Sequence, residues 1–222
     1  GSNHLAHLLR RNLNIKVLLF NNRIYGLTKG QYSPTSERGK KTKSSPFGSP
    51  DEPVNPLLFA LGCKATFVAR SSAVNGSHLH EVLLEAYRHK GTAFLEILQN
   101  CNVFNDKAFD EFDAREKRDE HEVFLLEGRP IVFGRDKDKG ISFADGNMKI
   151  TEDPSLASIH DPSNLAYACH LATAAFPDFP IPMGVFYKEQ RRVYEDELKE
   201  TLAKVSSRSI EDLFLSGEWW EI

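Results

Sequence analysis

Residues 15–31 read Ile-Lys-Val-Leu-Leu-Phe-Asn-Asn-Arg-Ile-Tyr-Gly-Leu-Thr-Lys-Gly-Gln, and they carry the strongest structural signal in the chain. Its first six residues form an apolar run of strand length that ends at Asn21-Asn22, which is typical of a buried parallel strand that feeds a loop. The loop carries amide oxygens, two glycines and several hydrogen-bond donors. Oxygen ligands with a closely approaching backbone suit Mg²⁺ held together with a phosphate. The stretch therefore predicts a strand followed by a phosphate-binding loop, with an ordinary surface loop as the alternative.

Strands and helices alternate along the first hundred residues. The predicted order is helix His4–Arg11, strand 15–20, helix Pro56–Leu61, strand Ala65–Ala69, helix Ser77–His89 and strand Ala93–Leu98. Such alternation predicts a parallel α/β sheet that binds its ligand at the carboxyl ends of the strands. Asn21-Asn22 and Gln99-Asn100-Cys101 would both lie at that edge. Residues 21–56 show no sustained periodicity, and a loop of this length is usually functional or mobile.

The pattern changes beyond residue 106. Residues 107–122 are dense in alternating charge and predict a solvated helix or loop. A small hairpin is predicted from residues 130–134 and 140–143, and helices are predicted at Asn164–Ala175 and Tyr187–Val205. We therefore divide the chain into an α/β domain at 1–106 and an α+β extension at 107–222. The tail Ser207–Ile222 ends in Trp219-Trp220 and matches no motif; a subunit contact and packing onto the parent domain are both open.

Composition excludes several classes of protein. A formal net charge of -3 gives no bulk electrostatic reason to expect nucleic acid or an anionic membrane as a partner. No window approaches the ~18 continuous apolar residues of a membrane span, and no secretory signal is visible, so we expect a cytoplasmic protein. Cys63, Cys101 and Cys169 are scattered along the chain. Their spacing predicts neither a disulfide framework nor a metal site complete within this chain.

Asn22 with Ile24 resembles the second half of the thiamine-diphosphate signature. In that signature an Asp of a Gly-Asp-Gly motif, a later Asn and a backbone carbonyl two residues beyond it hold Mg²⁺ on the diphosphate. Many decarboxylases and transketolases share it. The continuation from Ile24 to Thr35 is narrower, and it resembles the substrate-recognition motif of the 2-oxoacid:ferredoxin oxidoreductase β subunits. The resemblance covers at least residues 3–106 closely, and Pro180–Phe186 fits the C-terminal extension of that family.

The resemblance assigns roles to individual residues of this loop. Asn22 would bind Mg²⁺ through its side chain and Ile24 through its carbonyl. The cofactor contacts would be Asn22, Ile24, Tyr25, Gly26, Thr28 and Gln31, with His4 near the cofactor. Gly30 would contact the diphosphate or simply build the turn. Leu27 and Lys29 would recognise the 2-oxoacid, and Lys29 could hold a distal carboxylate by charge-assisted hydrogen bonding, although a solvated surface lysine is the alternative.

Cys101 has a separate role in the resemblance. The matching cysteine in the family is the fourth ligand of a 4Fe–4S cluster whose other three thiolates lie upstream of the thiamine motif. A cluster near the cofactor can take electrons one at a time. A lone Cys is otherwise more often a small buried hydrophobe, which is the expectation for Cys63 and Cys169. The Gly-Asp-Gly motif and the upstream cysteines are absent here, so we expect a thiamine-diphosphate fold that is incomplete at the N-terminus and inactive alone.

The activity implied by the resemblance is that of a β subunit. Such an enzyme oxidatively decarboxylates a 2-oxoacid to an acyl-coenzyme A and CO₂, using thiamine diphosphate, Mg²⁺ and the 4Fe–4S cluster. The motif as a whole favours 2-oxoglutarate over pyruvate or branched-chain acids. Partners would be an α subunit, in an αβ or (αβ)₂ assembly, and ferredoxin. The basic run Arg38–Lys43 predicts a mobile solvated loop, with steering of acidic ferredoxin or coenzyme A phosphates as a lesser alternative.

Two other interpretations of the function stay open. The first is a non-redox thiamine-diphosphate decarboxylase or carboligase that uses the same loop without a cluster; Cys101 argues against it. The second is an inactive scaffold or interaction fragment, which the missing Gly-Asp-Gly motif favours. Iron content separates the first reading from the oxidoreductase, and the sequence upstream of Gly1 bears on the second.

Overall fold

The computed structural model describes residues 1–144, 146–205 and 209–216. Its main sheet has five strands in the order β1-β3-β2-β8-β4, and a second sheet has three in the order β5-β6-β7. In chain order the strands are β1 Lys16–Asn21, β2 Phe67–Ser72, β3 Ala93–Leu98, β4 Glu122–Leu125, β5 Val132–Phe133, β6 Lys139–Ala144, β7 Asn147–Thr151 and β8 Ile181–Lys188. Strands β1, β3 and β2 are parallel, β8 runs antiparallel to β2, and β4 is parallel to β8.

Helices cover both faces of the main sheet. They are α1 Ser2–Arg11, α2 Pro56–Gly62, α3 Gly76–Arg88, α4 Arg118–His121, α5 Leu165–Thr173, α6 Tyr194–Ala203 and α7 Ile210–Leu215, with a 3₁₀ turn at Pro154–Leu156. Asn55, Asn75 and Asn164 begin α2, α3 and α5, and the side-chain oxygen of each accepts a backbone N–H of the first turn. These caps fix where the helices start, because the first N–H groups of a helix have no partner within it.

The two faces of the sheet carry separate apolar clusters. On one face Phe67 and Leu95 pack with Val82 of α3. On the other face Phe94 packs with Leu57 of α2 and with residues of α1 and α5. Strands β2 and β3 are consequently buried at every position, as expected for strands covered on both sides. In the described residues β1 lies at the sheet edge, where Leu18 and Phe20 are exposed.

The predicted α/β fold with parallel strands and flanking helices is confirmed, with shifts in its elements. The strand expected at Ala65–Ala69 lies at Phe67–Ser72. The helix expected at Tyr187–Val205 is wrong in its first part, since Tyr187 and Lys188 end β8 and the helix begins only at Tyr194. The physical reason is the apolar run 181–187, which fills the gap between β2 and β4 and is buried throughout.

The region after residue 106 also differs from expectation. The predicted hairpin is present as β5 and β6, and β7 adds a third strand. Residues 107–122 are not simply solvated, because Phe109 and Phe112 pack into a small core under Leu98. The division at residue 106 stays a prediction; β4 and β8 from beyond it join the same sheet as β2. Of the tail Ser207–Ile222 only 209–216 is described, and Trp219-Trp220 lie outside the described residues.

Candidate active site

Asn21, the last residue of β1, starts the candidate site. Its side chain is buried, and its Nδ2 donates to Glu96 Oε1 over 2.7 Å. Its Oδ1 accepts from Thr35 Oγ1 at 2.7 Å and from the backbone N–H of residue 23 at 3.1 Å. The second oxygen of Glu96 accepts from Arg70 Nε at 2.8 Å. The beginning of the loop is thereby held to β2 and β3 through a buried ion pair in which both carboxylate oxygens have partners.

The next two residues turn the chain out of the sheet. Asn22 Oδ1 accepts from the Ile24 N–H at 3.2 Å, a local turn that Asn side chains commonly form. Arg23 has a φ of 53°, in the left-handed region. Its guanidinium pairs with Glu37 at 2.7 Å and lies over the Phe109 ring, 4.7 Å from the centroid. These contacts hold a backbone conformation that a non-glycine residue adopts only at a cost.

Residues 25–31 form a compact turn on the surface. The Tyr25 N–H donates to the Gln31 carbonyl at 2.9 Å, and the Gly30 N–H donates back to the Tyr25 carbonyl at 2.9 Å. Gly30 has a φ of +100°, and a Cβ there would approach Phe104 Cδ1 to 2.9 Å. The turn-building role of Gly30 is thus required by geometry. Thr28 and Gln31 are hydrogen-bonded to each other, side chain to side chain, and Gln31 Nε2 also donates to the Thr28 carbonyl at 2.8 Å.

Most of the predicted site residues lie in one continuous loop, and His4 lies apart from it. Asn22, Ile24, Gly26, Thr28 and Gln31 belong to one continuous loop at the carboxyl end of β1. The side chains of Tyr25, Leu27 and Lys29 are exposed, and Leu27 is 99% exposed. His4 is exposed on α1 and lines a surface groove with Leu8, Arg11, Leu13 and Val17 rather than with this loop. Their roles toward a cofactor or substrate remain predictions.

Cys101 follows β3 and begins a turn, residues 101–105, that is hydrogen-bonded to this loop. The Asn105 N–H donates to the Cys101 carbonyl at 2.9 Å, and Asn105 Nδ2 donates to the Asn22 carbonyl at 2.9 Å. The Cys101 side chain is partly buried. Cys63 and Cys169 are also partly buried but pack against the main core, and burial raises the pKa of the Cys169 thiol. Their surroundings agree with the structural role expected of them.

A cavity of about 730 Å³ opens beside Asn21. Its wall carries cations and anions in equal number, namely Arg23, Lys40, Arg70 and Lys107 with Glu37, Glu96, Asp106 and Glu111. Two of the cations are paired, Arg23 with Glu37 and Arg70 with Glu96. Lys40 instead donates to Asn105 Oδ1 and forms no ion pair within the described part of the chain. The basic run that includes Lys40 is therefore packed against the site at this residue.

A second charged cluster lies beyond β2. Ser72 Oγ donates to Asp113 Oδ2, and Arg118 Nη2 donates to Asp113 Oδ1 at 3.3 Å. Arg118 Nε lies 3.6 Å from Glu122 Oε2, while Glu122 Oε1 is buried without a hydrogen-bond partner among the residues described. Burial, with the nearby Asp113 carboxylate, raises the pKa of Glu122 to about 9. The raised pKa favours the protonated form of the Glu122 carboxyl group.

The loop can supply some metal ligands but not a complete set. Asn22 Oδ1 accepts one hydrogen bond and keeps a free lone pair. Among the described residues none donates to the Ile24 carbonyl. Hard oxygen donors of this kind suit Mg²⁺. Across residues 1–144, 146–205 and 209–216, no group of three or more His, Cys, Asp or Glu side chains is placed to hold a metal ion. Within the same ranges no helix is long and apolar enough to cross a lipid bilayer.

Comparison with known proteins shows which family the chain resembles. Residues 2–97 match the thiamine pyrophosphate enzyme C-terminal TPP-binding domain, and residues 148–202 match the C-terminal region of the pyruvate ferredoxin oxidoreductase β subunit. A Mycobacterium tuberculosis protein named 2-oxoglutarate oxidoreductase subunit KorB is 39% identical over the whole of this chain. The chain is similar, over 90–100% of its length, to β subunits of this kind of oxidoreductase.

Two further relatives of this family agree. A β subunit of 2-oxoacid:ferredoxin oxidoreductase 1 from Aeropyrum pernix is 35% identical over 90% of the chain. The solved 2-oxoglutarate:ferredoxin oxidoreductase of Magnetococcus marinus, with 2-oxoglutarate, coenzyme A and succinyl-CoA bound, matches 98% of the chain with a TM-score of 0.72 and 28% identity. The chain spans 63% of the Mycobacterium and Magnetococcus chains and 55% of the Aeropyrum chain.

The family resemblance and the thiamine-diphosphate fold predicted from the sequence are confirmed. Sequence reasoning missed the polar residues that hold the loop in place, which are Asn21, Thr35, Lys40, Arg70, Glu96 and Asn105. Two of them carried a usable signal, because Arg70 and Glu96 interrupt apolar strands and a charge in a buried strand is normally paired. Asn105 carried none beyond its place in the turn after Cys101.

Proposed function

We propose that this chain is the catalytic part of the β subunit of a 2-oxoacid:ferredoxin oxidoreductase that acts on 2-oxoglutarate. The reaction is thiamine-diphosphate-dependent oxidative decarboxylation, which yields an acyl-coenzyme A and CO₂ and delivers electrons to ferredoxin. The observation that carries the proposal is the loop Asn21–Gln31 at the carboxyl end of β1, inside the region that matches the TPP-binding domain. Two relatives named for 2-oxoglutarate support the choice of substrate.

In this proposal Asn22 and Ile24 hold Mg²⁺ with a side-chain and a backbone oxygen. Both oxygens have unused acceptor capacity in the described structure, which is what a metal ligand needs. Gly26, Thr28 and Gln31 shape the wall toward the cofactor, with Tyr25 beside them and His4 as a more distant neighbour. Thiamine diphosphate, when bound, supplies the carbanion chemistry at the 2-oxo carbon. The loop binds the cofactor and keeps it oriented.

Cys101 would give one thiolate to a 4Fe–4S cluster. Its position after β3, in a turn hydrogen-bonded to the Asn22 segment, supports a cluster close to the cofactor loop. A four-thiolate cluster needs three more ligands, and Mg²⁺ needs further oxygen ligands. We propose that these come from outside the 222 residues of this chain. The chain alone would then be inactive.

Substrate and partners follow from the exposed part of the loop. Lys29 forms no ion pair with any of the described residues, and it would hold the distal carboxylate of 2-oxoglutarate while Leu27 would contact its chain. Leu27 is 99% exposed and is therefore accessible to a neighbouring molecule. We propose an α subunit as that neighbour, in an αβ or (αβ)₂ assembly, with ferredoxin and coenzyme A as further partners. The proposed location is the cytoplasm, and residues 1–106 and 107–222 are the proposed domains.

The test uses the full-length gene product co-expressed without oxygen with its α subunit. We expect broad visible iron–sulfur absorption and bound thiamine diphosphate. Cys101→Ala should remove most of the iron, and Asn22→Ala should remove most of the thiamine. Cys169→Ala, another partly buried cysteine, is the matched control and should keep both. Colourless protein that holds thiamine would support the non-redox enzyme instead, and protein with neither cofactor would support the scaffold reading.

A further inference from the structure

The Asn105 side chain lies where three parts of the candidate active site meet, and it is 3% exposed. Its Nδ2 donates to the Asn22 carbonyl at 2.9 Å and lies 3.5 Å from the Arg23 carbonyl. Its Oδ1 accepts from Lys40 Nζ. Its backbone N–H donates to the Cys101 carbonyl at 2.9 Å. One buried amide therefore contacts the proposed Mg²⁺ segment, the turn after the proposed cluster ligand and the long basic loop.

The orientation of this amide is fixed by the chemistry of its partners. The oxygen and nitrogen of an Asn side chain are assigned from their hydrogen bonds. The Lys40 ammonium can only donate, and the carbonyls of Asn22 and Arg23 can only accept. The Asn105 oxygen must therefore face Lys40 and its NH₂ must face the carbonyls. Lys40 forms no ion pair with any described residue, so this hydrogen bond is its polar side-chain contact in the structure.

The backbone that receives the Asn105 amide needs support. Arg23 holds a φ of 53°, which is unfavourable for a side chain larger than that of glycine. The carbonyls on either side of this strained residue, those of Asn22 and Arg23, face Asn105 Nδ2, and Ser36 Oγ also donates to the Arg23 carbonyl at 2.5 Å. Loss of the Asn105 donor would leave the partly buried Asn22 carbonyl without this partner and let the turn relax.

We propose that Asn105 is a positioning residue, which fixes the segment Asn22–Ile24 relative to the Cys101 turn, and that Lys40 holds its amide in the working orientation. This inference rests on the proposed function, because the segment Asn22–Ile24 matters for Mg²⁺ and thiamine diphosphate only there. Asn105 touches neither the cofactor nor the substrate in this account. It acts through the backbone of Asn22.

The decisive variant is Asn105→Asp. Aspartate has the same shape and still accepts from Lys40, but it has lost the NH₂ donor and turns a carboxylate oxygen toward the Asn22 carbonyl. We expect thiamine diphosphate, in the presence of Mg²⁺, to bind about tenfold more weakly, the size expected for one lost buried hydrogen bond. The matched control is Asn102→Asp, which adds the same charge to the same turn. Asn102 is exposed and forms no side-chain hydrogen bond with the described residues.

Lysine variants provide a second route in case Asn105→Asp fails to fold. Lys40→Met removes the donor that orients the amide and should weaken thiamine diphosphate binding about threefold, while Lys40→Arg keeps a donor and should bind as the parent protein does. All variants are measured in the complex of the full-length gene product with its α subunit, by the dissociation constant of thiamine diphosphate and by the melting temperature. A merely structural role would lower the melting temperature without changing the dissociation constant.

The outcomes separate this inference from the function on which it rests. Asn105→Asp binding that equals that of Asn102→Asp would overturn the inference while leaving the proposed function intact. Equal binding by Lys40→Met and Lys40→Arg would overturn the role of Lys40 and, where Asn105→Asp does not fold, the whole inference. Failure of the parent complex to bind thiamine diphosphate would contradict the proposed function itself, and the inference would fall with it.

Discussion

The two buried charged clusters beside β2 accommodate a glutamate in different ways. The loop cluster consists of Asn21, Thr35, Arg70 and Glu96. In it both oxygens of Glu96 accept hydrogen bonds, one from Asn21 and one from Arg70. The second charged cluster, here called the outer cluster, consists of Ser72, Asp113, Arg118 and Glu122. In it Glu122 lies close to the Asp113 carboxylate, and one oxygen of Glu122 has no hydrogen-bond partner among the described residues. Both side chains are almost fully buried, at 2% and 1% side-chain exposure. Burial is therefore not what distinguishes them.

The difference lies in how completely each carboxylate is compensated. A buried charge persists when a counter-ion and hydrogen bonds replace the water it has lost, and it otherwise takes up a proton. Arg70 and Asn21 supply that replacement for Glu96. Arg118 is shared between Asp113 and Glu122, so one cation faces two carboxyl groups, and the pKa of Glu122 is raised. The proposed cofactor loop is thus joined to the cluster that is fully paired.

The largest expected effect comes from breaking the loop cluster. Arg70→Met leaves Glu96 buried beside a single amide donor, and an uncompensated buried charge of this kind costs about 3–5 kcal/mol of unfolding free energy. Urea denaturation of the purified chain measures it. Lys90→Met, which breaks the exposed Lys90–Asp196 pair, is the control and should leave the midpoint almost unchanged. Equal midpoints for the two variants would show that the Arg70–Glu96 pair does not hold the sheet.

The contribution of the outer cluster to the unfolding free energy should depend on pH. The folded chain keeps a proton on Glu122 that the unfolded chain releases, because the pKa is raised from 4.5 to about 9. The contribution of this group to the unfolding free energy is complete below pH 4.5 and is lost as the pH rises toward 9. Glu122→Gln has nearly the same shape as glutamate and cannot ionise. We expect the variant to be more stable than the parent by about 1–3 kcal/mol at the alkaline end of this range.

Denaturation of both proteins at several pH values checks this expectation. The gap between variant and parent should widen as the pH rises. A constant gap would mean that Glu122 ionises at the same pH in both the folded and unfolded chains. Glu96→Gln is the matched comparison in the loop cluster, and it should destabilise the chain, because there the ionised carboxylate is the form that Arg70 and Asn21 stabilise.

The smallest expected effect tests whether one of the two donors to Asn21 Oδ1 can compensate for loss of the other. Thr35→Val removes the hydroxyl that donates to Asn21 Oδ1, but the backbone N–H of residue 23 still donates to the same oxygen. We expect a loss of about 0.5–1.5 kcal/mol in the unfolding free energy, typical of one hydrogen bond with a remaining partner. Thermal melting resolves a change of this size. A loss as large as that of Arg70→Met would mean that Thr35 does more than donate to Asn21.

The sequence predicted the parallel part of the sheet because its signals are local. The apolar runs before Asn21 and Gln99 each specify a strand, and the helices between them show their own periodicity. The placement of β8 could not be predicted in the same way. Its neighbours β2 and β4 are distant in sequence, and a short apolar run does not say which strands it will join. The helix expected from Tyr187 was therefore too long, since the pattern did not show where strand gives way to helix.

The residues of the candidate site also divide into those with a local sequence signal and those that meet only through folding. Residues of the motif, such as Asn22 and Ile24, follow one another in sequence and could be named from it. Lys40 and Asn105 are 65 positions apart and meet only after the long loop has folded back over the turn that follows β3. Nothing in the spacing of either residue indicates the other. The network that holds the motif in place was accordingly visible only in the folded structure.

The position of β8 between β2 and β4 has a consequence for how the chain is made. During synthesis β1, β2 and β3 emerge before β8 and can pair with one another, but the side of β2 that β8 occupies stays open until residues 181–188 follow. An apolar strand with an open side is prone to pair with other chains. A nascent chain must therefore keep that side covered, or fold late, and slow translation or arrest before residue 181 would favour aggregation over folding.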